Sequence, residues 1–174
     1  DTRVSGKLLA HLEIRKTLMS FHEHNQYEKT DEIIELIKSG KKIGLVSDAG
    51  MPCISDPGAI LVSRLIEEKL PLTVIPGVSA STALFSVSGM SEQGDFIFHG
   101  FLPTKEKAKR DALLEYQNTK TPIIFYESPH RIVKTLNLLT DLFPSSTKVC
   151  IGRELTKIHE NLLWFMLSEL QTID

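Results

Sequence analysis

The chain has 174 residues, 41% of them hydrophobic and 24% charged, which excludes a disordered protein and provides enough apolar surface for a buried core. Twenty Lys and Arg residues stand against 22 Asp and Glu residues, for a net charge of −2, so the whole molecule has no basic field for binding nucleic acid. The longest apolar runs, at 60–66 and 162–167, are shorter than a membrane span of roughly 20 residues.

The two cysteines, Cys53 and Cys150, lack the CxxC or CxxH spacing of a zinc site and are too few for a disulfide framework. A reducing, cytoplasmic location is therefore expected. The chain opens on Asp1 rather than Met, and its first three residues are typical of a position within a longer sequence. We therefore expect a fragment of a longer protein.

The first quarter of the chain predicts two helices and a strand. Residues 5–12 combine a capping Ser with leucines at helical spacing, and residues 16–21 are typical of a strand. Asn25 and Glu28 then have the spacing of a capping box, and Gly40 is placed to end the helix that follows.

The next part of the chain predicts alternating strands and helices. Residues 42–47 form a β-branched apolar run without alternation, which predicts a strand buried on both faces. The glycine- and proline-rich loop 48–58 follows, and then a helix at 59–69, a strand at 72–75 and a helix at 79–88. This order predicts an α/β fold with a parallel sheet.

Turn-forming residues at 88–95 predict a linker between an amino-terminal domain, 1–94, and a carboxyl-terminal domain, 95–174. The second domain is predicted to contain strands at 96–101, 122–126 and 148–151 and a helix at 105–116. A further helix is predicted to start at Ser128 and Pro129, with a buried stripe of Ile132, Val133, Leu136 and Leu139.

Two turns follow predicted strands and could bring backbone close to a ligand. The loop 48–58 matches neither GxGxxG nor the P-loop, which argues against the ordinary nucleotide-binding motifs, and a plain connection explains it equally well. The turn 76–80 could offer the N–H groups of a helix start, although Ser79 capping its own helix is the simpler interpretation. In a parallel sheet both turns would face one crevice.

Other polar clusters allow two interpretations each. His22 and His24 could bind a metal, but without a third ligand they are better explained as polar lining. A GxSxG elbow for serine hydrolysis is missing. One basic cluster consists of Lys105, Lys107, Lys109 and Arg110. It could bind phosphates or form the solvated face of a helix.

Five segments, in this order and spacing, resemble the tetrapyrrole methylase superfamily: SDAGMPCISDPG, VIPGVSA, GFLP, FYESPHR and GRELTKIHE. ESPHR and GRELTK, with the opening DTR and the run HEHN, resemble its rRNA-methylating branch. The likeness covers essentially the whole chain. It implies two α/β/α lobes, truncated at both ends, with S-adenosylmethionine in the cleft between them, and a homodimer. The implied reaction is methylation of a cytidine ribose 2′-hydroxyl in small-subunit rRNA or the 30S particle.

The resemblance also implies site residues, and it implies no metal. Where many relatives have Asp after the loop glycine this chain has Met51, so that Asp48 or backbone groups would take over that contact. The residues implied to border the cofactor are Gly50, Met51, Pro52, Cys53, Ile54, Ser79, Ala80, Phe125 and Tyr126.

A ribose hydroxyl is a weak nucleophile, so a general base or a cation near the developing alkoxide would help the reaction. The candidates are polar residues of the family-specific segments, namely Asp1, Arg3, Glu23, Asp48, Arg153, Glu154 and Lys157. Arg153 and Glu154 could equally form a structural ion pair, and Arg131 could present its charge to a phosphate. Two other functions stay open: a tetrapyrrole C-methyltransferase and an inert binding module.

Overall fold

The computed structural model describes residues 2–172 and divides into two compact units, the first ending at Ser79 and the second beginning at Ala80. The predicted boundary between 94 and 95 stays a prediction. In chain order the elements are α1 (Thr2–His11), α2 (Gln26–Lys38), α3 (Ala59–Glu67), α4 (Ala80–Ser88), β1 (Ile97–Phe101), α5 (Glu106–Leu114), β2 (Ile123–Tyr126), α6 (Ile132–Leu142), β3 (Lys148–Arg153), β4 (Asn161–Met166) and a final 3-10 helix (Leu167–Thr172).

The end of α2 confirms the predicted role of Gly40. This residue has φ +87°, in the left-handed region that glycine adopts without strain. The N–H groups of Gly40 and Lys41 donate to the carbonyls of Ile37 and Leu36 at 2.9 and 3.0 Å. This is the Schellman arrangement, which satisfies the last carbonyls of a helix.

The start of α2 differs from the prediction. Asn25 precedes the helix but makes no side-chain capping hydrogen bond, so the predicted capping box with Glu28 is wrong. Its amide oxygen instead accepts from the N–H of His22 at 2.8 Å, and its amide nitrogen donates to the carbonyl of Ser20 at 3.1 Å. The side chain therefore organises the preceding turn because both of its hydrogen-bonding groups are already used there.

The three strands predicted for the first unit are not formed. Within residues 2–79 the segments 16–21, 42–47 and 72–75 have no strand pairing, and apolar side chains such as Ile43 and Val46 are exposed rather than buried. A strand requires a neighbouring strand to complete its backbone hydrogen bonds. Local composition predicts that a segment tends to form a strand, but it does not predict whether another strand lies beside it.

The core of the first unit lies between α2 and α3. It consists of Ile33 and Ile34 on α2 and Leu61 and Leu65 on α3, all buried. Leu61 and Leu65 are four residues apart and share one face of α3, and Ile33 shares a face of α2 with the partly buried Ile37. The two helices are therefore amphipathic and pack through these faces.

The second unit contains two separate two-stranded sheets. β1 and β2 are parallel, as predicted for the fold class, whereas β3 and β4 form an antiparallel hairpin that pairs Cys150 with Trp164. Sequence reasoning missed β4. Its run of apolar and aromatic residues had the composition of a strand, which could have revealed it.

The main core of the second unit is built around α6. Leu136, Leu138, Leu139 and Leu142 are buried there with Leu113 of α5 and Phe165 of β4. The predicted stripe is wrong for Val133, which is exposed. The helix also begins at Ile132, one turn later than predicted from Ser128 and Pro129. No helix among residues 2–172 is both long and apolar enough to cross a bilayer.

Two adjacent leucines on α5 test this core. Leu113 is 2% exposed and Leu114 is 39% exposed. We expect Leu113→Ala to lower the free energy of unfolding by about 2–5 kcal/mol because it leaves a cavity. Leu114→Ala should cost less than about 1 kcal/mol. Urea unfolding followed by circular dichroism measures both, and equal costs for the two variants would contradict this description of the core.

Candidate functional site

The loop 48–58 has an unusual backbone. Gly50 and Gly58 have φ values of +75° and +141°, and the non-glycine residues Cys53 and Ser55 have values of +69° and +57°. Left-handed non-glycine residues are strained and persist only where their surroundings hold them. Part of that support comes from Ser47, whose hydroxyl donates to the carbonyl of Gly50 at 2.6 Å.

Gly58 shows how closely this loop is packed. A Cβ atom added there would lie 2.6 Å from Sγ of Cys53 and 2.9 Å from Cδ2 of Leu45. Burial, with a smaller contribution from the Asp56 carboxylate, raises the pKa of the Cys53 thiol. Cys53 is therefore protonated at neutral pH and acts here as a packing residue.

The loop and the turn 76–79 lie next to each other in the first unit. A Cβ atom on Gly77 would be 3.0 Å from Sδ of Met51, and one on Gly50 would be 3.7 Å from the carbonyl oxygen of Val78. The structure thus brings together two of the predicted cofactor-bordering segments. Pro52 and Ile54 belong to the same loop, and the half-buried Ser79 ends the turn.

The remaining predicted cofactor-bordering residues belong to the second unit. Ala80 is the first residue of α4. Phe125 and Tyr126 are the last two residues of β2, at the carboxyl end of the parallel pair. Phe125 packs against the main core, whereas the ring of Tyr126 contacts Phe98 and Phe101 of β1.

Three of the predicted catalytic residues are exposed in the first unit. Arg3 is in α1, Glu23 is in the turn before α2, and Asp48 opens the loop 48–58. Asp1 lies outside the described residues. His22 and His24 have ring centroids 6.0 Å apart, and among residues 2–172 no group of three potential ligands is placed to hold a metal ion.

The other three predicted catalytic residues lie in the loop that joins β3 to β4. Arg153 ends β3, and Glu154 follows with φ +52°. Nζ of Lys157 lies 3.2 Å from a carboxylate oxygen of Glu154, so the ion pair here joins Glu154 to Lys157 rather than to Arg153. The N–H of Thr156 donates to the carboxylate of Glu160 at 2.7 Å, which closes the loop.

A buried network that sequence reasoning missed lies at the carboxyl end of the parallel pair. Its centre is Glu127, which directly follows β2 and whose side chain is 3% exposed. One carboxylate oxygen accepts from Nζ of Lys109 at 3.0 Å and from the hydroxyl of Thr135 at 2.7 Å. The other accepts from the N–H of Ser128 at 2.8 Å and from Nε of Arg131 at 2.6 Å.

The network also extends to the residue after β1, and its members form hydrogen bonds with one another. Lys109 donates to the hydroxyl oxygen of Thr135 at 2.7 Å, and Arg131 donates to the carbonyl of Leu102 at 3.4 Å. We define the buried network as Glu127, Lys109, Thr135 and Arg131. It connects α5, α6 and the ends of both parallel strands.

The buried network overturns both interpretations of the basic cluster on α5 for one of its members, Lys109. Lys109 is buried against Glu127, so it is neither solvated nor free to grip a phosphate, whereas Lys105 and Lys107 are exposed. Lys109 lies four residues before the buried Leu113, on the same helix face. That spacing was the signal that could have identified it.

Burial disfavours the charged form of Glu127, but four hydrogen bonds outweigh it. The donors from Thr135, Lys109, the Ser128 backbone and Arg131 together lower the pKa of this carboxyl. Glu127 is therefore ionised at neutral pH. With two cations and one carboxylate, the buried network has a net charge of +1.

Known proteins resemble this chain over nearly all its length. A family model described as "Tetrapyrrole (Corrin/Porphyrin) Methylases" matches residues 2–171. The chain is 42% identical to "Ribosomal RNA small subunit methyltransferase I" of Vibrio cholerae, over 99% of this chain and 59% of that protein. A protein of the same name from Xylella fastidiosa is 43% identical, over 99% and 63%. The chain thus spans about three fifths of the length of these two relatives.

Substitution of Gly58 tests the packing of the loop 48–58. We expect Gly58→Ala to lower the free energy of unfolding by about 2–5 kcal/mol, because it combines a strained φ with overlap against Cys53 and Leu45. Gly40→Ala is the matched control, since its φ is also positive but no atom lies within 4 Å of the added Cβ. The control should cost only about 1 kcal/mol. Thermal unfolding of both variants measures the difference, and a smaller loss for Gly58→Ala would refute the packing.

Replacing Glu127 tests the buried network through pH. Its lowered pKa means that its stabilisation is complete above about pH 4.3, the ordinary value for glutamate, and is lost as pH falls through the folded-state pKa. At neutral pH we expect Glu127→Gln to cost about 3–5 kcal/mol because Lys109 stays buried without its carboxylate.

The difference in the free energy of unfolding between wild type and Glu127→Gln should shrink below pH 4. Urea unfolding across a pH series measures it. Glu115→Gln, at an exposed position after α5, is the control and should follow the wild type throughout. A constant difference between pH 7 and pH 3 would show that the charge of Glu127 does not matter.

Proposed function

Because the chain belongs to the tetrapyrrole methylase family, we propose that it acts in the S-adenosylmethionine-dependent methylation of a cytidine ribose 2′-hydroxyl in small-subunit rRNA. The supporting observation is that relatives 42–45% identical over 90–99% of this chain are named ribosomal RNA small subunit methyltransferase I. We also propose a cytoplasmic homodimer with small-subunit rRNA or the 30S particle as its partner. A tetrapyrrole substrate is not favoured, since those relatives carry an rRNA name.

The two adjacent turns of the first unit suit S-adenosylmethionine chemically. This cofactor supplies a methyl group on a positively charged sulfonium. Gly50 is exposed and leaves room beside the Val78 carbonyl, so polar backbone atoms of both turns can contact a ligand at close range. We propose that the cofactor is bordered by Gly50, Met51, Pro52, Cys53, Ile54 and Ser79 of the first unit. The contacts predicted for Ala80, Phe125 and Tyr126 stay predictions.

Methyl transfer to a hydroxyl requires that the acceptor oxygen and the methyl group are correctly positioned and that the hydroxyl proton is removed. It requires no covalent enzyme intermediate. We propose that a carboxylate takes the proton of the 2′-hydroxyl and that a cation stabilises the developing alkoxide. The carboxylate candidates are Asp1, Glu23, Asp48 and Glu154, and the cation candidates are Arg3, Arg153 and Lys157. Asp48 is the preferred base because it is exposed and opens the proposed cofactor loop.

A methyl-transfer assay tests the proposed function. The full-length protein is incubated with radiolabelled S-adenosylmethionine and unmethylated 30S particles, and the labelled nucleoside is identified by mass spectrometry after digestion. The expected product is a 2′-O-methylated cytidine in small-subunit rRNA. Label found only in a porphyrin or corrin precursor would replace this proposal, and failure to bind the cofactor in isothermal titration would favour an inert module.

Replacing Asp48 tests the preferred base in the same assay. Asp48→Asn should lower kcat by about 10²- to 10⁴-fold and leave the cofactor Kd within a few fold, because general-base catalysis contributes on that scale. Asp56→Asn, at an exposed aspartate of the same loop, is the matched control and should retain kcat. Full activity of Asp48→Asn would assign the base to another residue.

A further inference from the structure

A β-bulge at the end of β1 places two aromatic residues on one face of the strand. Phe98 pairs with Ile124 and Gly100 with Phe125, so that His99 is an extra residue. Gly100 has φ +81°, which glycine tolerates at a bulge. Along a regular strand, residues three apart point to opposite faces. The bulge is therefore what allows both Phe98 and Phe101 to reach the same partner.

That partner is Tyr126, the last residue of β2. Its ring centroid lies 5.0 Å from that of Phe98 and 5.4 Å from that of Phe101, with edge-on geometry in both pairs. We call Phe98, Phe101 and Tyr126 the aromatic cluster. Phe101 and Tyr126 are the last residues of the two parallel strands, at the end of the strands where α/β sheets commonly bind ligands.

Phe101 is the exposed member of the aromatic cluster. It is 56% exposed, although it is held against Tyr126. The bulge behind it is fixed as well, since Nδ1 of His99 lies 2.7 Å from the hydroxyl of Tyr116. The cluster thus presents a positioned ring with a free surface.

A positive charge is hydrogen-bonded to the backbone that follows Phe101. Arg131 donates to the carbonyl of Leu102, the residue after Phe101, and its side chain is partly exposed. Glu127 holds the guanidinium in place, and the buried network as a whole keeps a net charge of +1. An exposed aromatic ring next to a cation is the combination that proteins use for single-stranded RNA, because the ring stacks on a base and the cation attracts the phosphates.

We propose that Phe101, supported by Tyr126, stacks on an unpaired base of the RNA substrate and that Arg131 attracts the adjoining phosphate. This inference rests on the proposed function and adds RNA-contacting residues to it. Phe101 belongs to the second unit, whereas the residues proposed to border the cofactor belong to the first. Its loss should therefore weaken RNA binding without weakening cofactor binding.

Three substitutions in the full-length protein test the stacking. Phe101→Leu keeps an apolar side chain without a ring, and Phe101→Trp keeps a ring. Trp164→Leu is the matched control, because Trp164 is a similarly exposed aromatic residue of the second unit at 52%. The dissociation constant for a small-subunit rRNA fragment is measured by fluorescence anisotropy at fixed salt, and that for S-adenosylmethionine by calorimetry.

Phe101→Leu should raise the RNA Kd about 5- to 100-fold, as expected for the loss of one stacked base. Phe101→Trp should stay within about 3-fold of wild type, because the ring is retained. Trp164→Leu should not change RNA binding, and the cofactor Kd should be unchanged in all three.

Unchanged RNA affinity for Phe101→Leu, or an equal loss for Trp164→Leu, would overturn the inference. A parallel loss of cofactor affinity in Phe101→Leu would do so too, since it would place the ring in the cofactor site. A wild-type protein that binds the cofactor but neither binds nor methylates small-subunit RNA would refute the proposed function itself, and the stacking inference with it.

Discussion

A buried carboxylate determines how the second unit is assembled. Glu127 accepts hydrogen bonds from Lys109 on α5 and Thr135 on α6, and Arg131 extends the connection to the carbonyl of Leu102 after β1. A buried charge without its partners costs several kcal/mol. The elements therefore have to meet in one geometry, since any displacement leaves a charged or polar group unsatisfied.

This constraint lies directly beside the residues proposed to act on ligands. Phe125 and Tyr126 immediately precede Glu127, and Phe101 immediately precedes Leu102, so anchoring Glu127 and Leu102 also fixes the aromatic rings. Part of the ESPHR motif thus has a structural role, which a motif resemblance cannot distinguish from a catalytic one. The excess positive charge of the buried network remains available at the surface through Arg131.

Sequence analysis predicted the elements that depend on nearby residues. It failed for the elements that depend on a partner far away in the chain. α2 and α6 follow from apolar spacing, and Gly40 marks the end of α2, but the start signals predicted for both helices were wrong. The segment 42–47 has the composition of a strand, but within residues 2–79 it pairs with no other segment. Lys109 was assigned to the surface by its charge, although its helical spacing to Leu113 indicates the buried face. The bulge at Gly100 was not predictable either, because register is a property of two paired strands.

The two turns of the first unit show what residue types can and cannot reveal about the candidate site. Gly50 and Gly77 indicated close backbone approach, and the structure places their segments side by side. It also gives Met51 a role that the pattern did not suggest: its thioether packs against Gly77, 3.0 Å from where a Cβ would lie. An unbranched, polarisable side chain suits such a gap. Since this position offers no charge, backbone carbonyls and Asp48 are the groups of the loop that we propose attract the sulfonium.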